Sequence, residues 1–181
     1  MTMQAELTDL NARIANLIRV GTVSEVNYST ARVRVDLGNS KTNWLAWVSM
    51  TTGATSSWLA PEVGEQVVIL SPSGQINQGV VINGLYHNDA PPPSNARDEF
   101  MIQFGDGTQI SHLTGAKHTC IRSTGNVTVH AAERIVIETN ENVNIKAQNV
   151  TVTGDSVAID CENTTFKGNI QATGIISAKN I

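Results

Sequence analysis

A chain of 181 residues holds one ordinary domain or two small ones. Charged residues are only 15 % of it and the net charge is −4, which gives no basic patch of the kind nucleic-acid binders carry. No apolar run approaches the ~20 residues of a membrane-spanning helix, and the opening MTMQAELTDL lacks the basic and apolar regions of a signal peptide, so a soluble protein made in the cytoplasm is expected.

Asn, Thr, Ser and Gly stand where charges are usual, a mixture that suits strands and turns better than helices. The exception comes first. Over residues 5–18, Leu7, Leu10, Ile14, Leu17 and Ile18 recur at spacings of three and four and give one apolar stripe. A helix this short is marginal alone in water, so the stripe is expected to dock. Packing on its own domain is the default, and contact with a partner subunit is the alternative.

From Ile18 to His87 the pattern changes to short apolar or alternating runs: Val20–Val26, Ala31–Leu37, Trp44–Val48, Gln66–Leu70 and Gly79–Leu85. Turn-forming stretches at Tyr28–Thr30, Gly38–Ser40 and Ser71–Gly74 separate them, together with the long stretch Thr51–Gly64. Five strands in so short a span predict a small barrel of the OB type. The Thr51–Gly64 loop is long for a compact domain and carries Trp58, which marks it as functional or as an interface.

Asn88–Asn95 contains Pro91, Pro92 and Pro93, which cannot continue a ladder and favour an extended linker. The organisation predicted is therefore a helical segment 1–18, an OB-like barrel 19–88, a Pro-rich linker 89–96 and a final region 97–181. That region opens with a hairpin, Phe100–Phe104 and Gln109–His112 around Gly105-Asp106-Gly107-Thr108. Cys120 and Cys161 match no metal spacing and are expected as free, buried thiols.

After Ser123 the sequence repeats. Apolar pairs at i and i+2 occur at Val127/Val129, Ile135/Ile137, Val143/Ile145, Val150/Val152 and Val157/Ile159, followed by Thr164/Phe166. Successive pairs begin 8, 8, 7, 7 and 7 residues apart, each followed by a polar corner. A period of two is that of a strand buried on one face, and its recurrence at near-constant spacing marks a stacked β-architecture. A single chain could coil on itself, but so few turns would leave the ends uncapped. Three chains wound around one axis bury every inward Val or Ile and pair the strand edges, and this closure is preferred. If the strands simply stack, the rod is on the order of 35 Å long. The whole is then an all-β protein: an N-terminal helix, an OB-like five-stranded barrel and an intertwined trimeric (triple-stranded) β-helix. Its trimer core would be Val127, Val129, Ile135, Ile137, Val143, Ile145, Val150, Val152, Val157, Ile159 and Phe166.

The segment WLAPEVGEQVVILSPSGQINQGVVINGLYHNDAPPP (Trp58–Pro93) resembles the end of the OB domain in phage baseplate assembly protein V. The opening Leu17–Val23 and the strand Ala31–Asp36 are similar to that family's too, and the order of parts agrees throughout. The resemblance implies the homotrimeric central spike of a contractile tail, with type VI and pyocin spikes as relatives. Its OB base would join a baseplate hub protein, and its needle would meet the host outer membrane first on sheath contraction. It would reside in the virion tail baseplate after assembly in the bacterial cytoplasm. Leu7, Leu10, Ile14 and Trp58 are the candidate hub contacts. Many members of the family end in a His-x-His motif whose three copies hold iron at the tip. Here His87, His112, His118 and His130 are not so spaced. No tip metal and no other cofactor is expected, the tip being closed by a segment beyond this chain, by a separate capping protein or by another device.

Chemistry has little foothold. His112 and His118 are the candidates for a triad or a metal, but exposed or locally bonded histidines explain them better. No phosphate loop, zinc spacing or nucleophile elbow is present. Gly105–Gly107 is better read as a hairpin turn than as a calcium loop. The triplets headed by Asn27, Asn126, Asn149 and Asn163 read as turns and corners rather than glycosylation sites. Trp44, Trp47 and Trp58 read as barrel core or trimer contact before a ligand platform. Two other functions are kept: a β-helical polysaccharide depolymerase, which would need an acidic pair in a groove, and a sugar- or nucleic-acid-binding OB module on a stalk. No enzymatic activity is expected.

Overall fold

The computed structural model describes residues 2–174. Helix α1 runs from Met3 to Asn16, two residues earlier at each end than the stripe predicts. It stops there because Ile18 already pairs with Leu70 in a sheet. Strands β1 (Ile18–Asn27), β2 (Arg32–Asp36), β3 (Leu45–Trp47), β4 (Gln66–Leu70) and β5 (Val80–Leu85) follow, one for each predicted run.

These five close into a barrel in the order β1-β2-β3-β5-β4. Only β3 and β5 run parallel. Closure depends on β1 serving two neighbours: Ile18–Thr22 pair with β4, and Thr22–Asn27 pair with β2 across a register shift between Val23 and Glu25. Gly21 sits at the hand-over, where a Cβ would stand 2.6 Å from both the Asp36 carbonyl oxygen and Val35 Cγ1. Only glycine lets the strands approach so closely there.

The barrel interior is filled by Val23, Val33, Val35, Leu45, Val67, Ile69 and Val81. Val33 with Val35 and Val67 with Ile69 are the alternating positions of their strands, so period two places them inward together. Thr42 and Ser71 are the buried polar residues among those described, and Thr42 is satisfied: its hydroxyl accepts the Val35 N–H at 3.0 Å and donates to the Asn43 carbonyl at 2.8 Å.

Beyond the prolines lies a separate three-stranded antiparallel sheet of β6 (Glu99–Gln103), β7 (Gln109–Leu113) and β8 (His118–Arg122). The predicted hairpin is β6–β7, with Gly107 at φ 86° in its turn. Strand β8 was not anticipated. Its turn carries Lys117, a non-glycine residue at φ 51°, and His118-Thr119-Cys120 is too polar to read as a strand.

The chain divides into two compact units after Thr128. In residues 129–174 no strand is paired within the chain. The self-coiled closure is therefore not formed among these described residues. Residues 175–181, the end of the predicted needle, lie outside the described residues.

Candidate functional site

Surfaces carry the candidate residues, and the first is α1. The default expectation, that its stripe packs on its own domain, is corrected: no helix residue is buried, and Leu7, Leu10, Ile14 and Leu17 are 42–56 % exposed. Only the C-terminal end of the helix is seated, against the 3-10 turn Pro72–Gly74 that follows β4. That seat is set by the Ser71 N–H, which donates to the Leu17 carbonyl at 2.8 Å. A surface Asp9–Arg13 ion pair at 2.8 Å, one helical turn apart, lies along the helix and adds little stability at such exposure.

The Thr51–Gly64 loop is pinned at its base and open at its aromatic. Ser49 Oγ lies 2.9 Å from both the Ser57 carbonyl and its hydroxyl, and Thr51 Oγ1 donates to the Thr55 carbonyl at 2.8 Å. Trp58 meets Trp47 edge to face at 5.5 Å, yet stays 61 % exposed. Trp47 packs against the core. Trp44 lies under the Arg34 guanidinium, 4.9 Å from ring centroid to carbon. The three tryptophans thus split between core, cation contact and open surface, and do not form one platform.

A further surface escaped the sequence reading. Ile18, Val20, Leu70, Val80 and Ile82 are exposed on the outside of the barrel. They lie in register across β1, β4 and β5: Ile18 beside Leu70 beside Val80, and Val20 beside Val68 beside Ile82. The signal was present in Gln66–Leu70 and Val80–Leu85, which are near-continuous apolar runs. Such runs mark strands covered on both faces.

In the second unit the ladder residues behave alike. Val127 just before it, and Val129, Ile135, Ile137, Val143, Ile145, Val150, Val152, Val157, Ile159 and Phe166 within it, are 55–76 % exposed in the single chain. Cys161, expected buried, is exposed along with the apolar residues of its unit; Cys120 is half-buried, and both thiols are free.

No catalytic grouping assembles from the histidines. His112 Nδ1 lies 2.8 Å from the Thr119 hydroxyl, a cross-strand pair, and His118 is exposed on the neighbouring strand. An open concavity of about 540 Å³ beside β4 and β5 is lined in part by Glu65, Gly84 and His87. Both Glu65 oxygens are engaged there, by the Gly84 N–H at 2.8 Å and the Glu62 N–H at 3.0 Å, so this carboxylate holds the loop. Among the described residues no group of three His, Cys, Asp or Glu side chains is placed to hold a metal. No helix among them is long and apolar enough to cross a membrane.

Residues 19–86, the barrel, match the type VI secretion system/phage-baseplate injector OB domain family. Over 189 aligned positions the chain is 32 % identical to the spike protein of Escherichia phage P2, covering 96 % of this chain and 87 % of that relative.

Proposed function

The chain belongs to the phage-baseplate spike family, and from that membership we propose that it is the central tail spike of a contractile phage or phage-like particle. It acts as a homotrimer in the tail baseplate, assembled in the bacterial cytoplasm. Its OB base joins the hub protein, and its repeat forms an intertwined β-helical needle that breaches the host outer membrane. The role is mechanical and not enzymatic.

One observation carries this reading: a regular ladder of large apolar side chains that the single chain leaves both exposed and without strand pairing. A soluble protein rarely exposes a contiguous apolar surface of this kind without a partner. Two further copies supply that cover, with each side chain contributing roughly 1.5–3 kcal/mol on burial. The chains also supply one another's missing strand partners. Shared covalent continuity from base to tip and interchain ladders make such a rod stiff.

The hub contact falls to Leu7, Leu10 and Ile14 on α1 and to Trp58, all exposed on the N-terminal unit. The needle tip carries no metal held by this chain's histidines and is closed by a segment beyond this chain, by a capping protein or by another device.

Light scattering of the full chain at micromolar concentration tests the assembly. A mass three times the 19.4 kDa chain supports it, and a stable folded monomer overturns it. For the mechanical role, particles are assembled with a chain ending at Thr128 and contracted on host cells. Periplasmic leakage should be lost; leakage equal to that of intact particles would remove the needle from the mechanism.

A further inference from the structure

We infer that Asn83-Gly84 is a latent site of spontaneous backbone modification, and that the Glu65 carboxylate holds it intact in the folded barrel. This chemistry belongs to the single OB barrel and is independent of how copies assemble.

Asn83-Gly84 is the one Asn-Gly step in the sequence. At such a step the glycine amide nitrogen, once its proton has gone to hydroxide, attacks the carbonyl carbon of the asparagine side chain. Glycine has no Cβ to hinder that approach. The new C–N bond closes a succinimide ring, and the side-chain nitrogen leaves as ammonia after taking a proton from water. Water then opens the ring at either carbonyl, to aspartate or to isoaspartate, with no oxidation or reduction. In the β4–β5 ladder the two residues oppose Val67 alone, between the pairs Gln66–Leu85 and Val68–Ile82. They form a β-bulge, with Gly84 exposed and at φ 89°. Nothing lies within 4 Å of the place a Gly84 Cβ would take. Both residues line the open concavity beside β4 and β5, so water and hydroxide reach the step.

The Gly84 N–H donates to a side chain, Glu65 Oε1, at 2.8 Å. That carboxylate is itself fixed. Its Oε2 accepts the Glu62 N–H at 3.0 Å, and the Glu65 carbonyl accepts the Val23 N–H at 2.9 Å. Two effects follow. A negative charge at hydrogen-bond distance opposes loss of the Gly84 proton, because the amide anion would face a carboxylate. Glu65 is half-buried, which leaves its charge less screened than one on open surface. The bond also pins the attacking nitrogen, which must turn toward Asn83 Cγ to react. Modification would damage the barrel. Isoaspartate would add a backbone atom to β5, the strand that joins β3 to β4 in the closed sheet. Aspartate would add a carboxylate to a concavity already lined by Glu62, Glu65 and Asp89.

The test is mass spectrometry of the peptide spanning Asn83 and Gly84 after the full chain has stood in mildly alkaline buffer, with aspartate and isoaspartate separated by chromatography. Native wild type should convert slowly, and wild type in denaturant quickly. Glu65→Gln keeps the side chain's shape and removes its charge. It should convert at least about tenfold faster than native wild type, with circular dichroism showing it folded. Val35→Ala, which leaves a cavity in the core at β2, should convert at the wild-type rate. An equal gain in Val35→Ala would assign the effect to lost stability and overturn the role of Glu65. Equal rates in wild type and Glu65→Gln overturn it too. A slower Glu65→Gln would make the carboxylate a base that promotes the reaction, the opposite of the role inferred. Rapid conversion of native wild type, or none in denaturant, removes the latent site itself. If Glu65→Gln does not fold, Glu65→Asp, which withdraws the acceptor from the Gly84 N–H, takes its place with the same gain expected.

Discussion

A Cβ built on Gly74 would stand 2.5 Å from Arg13 Cα, so the last turn of α1 and the turn after β4 touch backbone to backbone. Gly74 is also at φ 72°, in the left-handed region. Gly74→Ala should therefore cost about 1–3 kcal/mol through strain and lost helix seating. Thermal unfolding of the full chain should show it, with Gly53→Ala, which meets nothing within 4 Å, as the neutral comparison. Equal melting of the two variants would mean the helix is not held there.

The buried Thr42 hydroxyl ties β2 to the segment that leads into β3. Thr42→Val keeps its shape and leaves the Val35 N–H without its acceptor. A loss of about 1–3 kcal/mol in denaturant unfolding is expected. A neutral result would show that water reaches this amide.

Asp106 clamps the β6–β7 turn to the segment after β8. The Thr108 N–H, then the Thr108 hydroxyl and the Thr124 hydroxyl, hold its carboxyl below the ordinary carboxylate range. A depressed folded value means stabilisation that is present above the unfolded value of about 3.9 and lost as pH falls through the folded one. The group is fully exposed, so the effect is small. Melting temperature should fall more in wild type than in Asp106→Asn as pH is lowered from 5 toward 2. Parallel curves would mean the clamp does not depend on the charge.

Val143→Asp places three carboxylates around one apolar axis if the needle is trimeric, an arrangement costly to bury. Loss of the trimer in light scattering is expected, with the barrel's circular dichroism retained. An intact trimer of wild-type stability would take Val143 off the inward face.

The barrel was legible because each of its strands is a local pattern bounded by turn residues, and five such runs have few ways to close. The Asp-Gly turn of β6–β7 was legible for the same reason. Strand β8 was not, because its turn uses Lys117 at positive φ, a conformation no local signal announces. The α1 stripe shows the other limit. Leu7, Leu10 and Ile14 state that the helix has an apolar side, but periodicity is the same whether that side meets its own domain or another chain.

By itself the sequence determined which residues alternate, where the turns fall and which side chains share a face, since these follow from backbone period and local sterics. The tertiary structure decided what those faces meet. It filled the barrel with Val23, Val35, Val67 and Ile69, and left the outer faces of β1, β4 and β5, the stripe of α1 and the ladder from Val127 onward uncovered. Burial depends on which surfaces come together in space, and period alone carries no record of it.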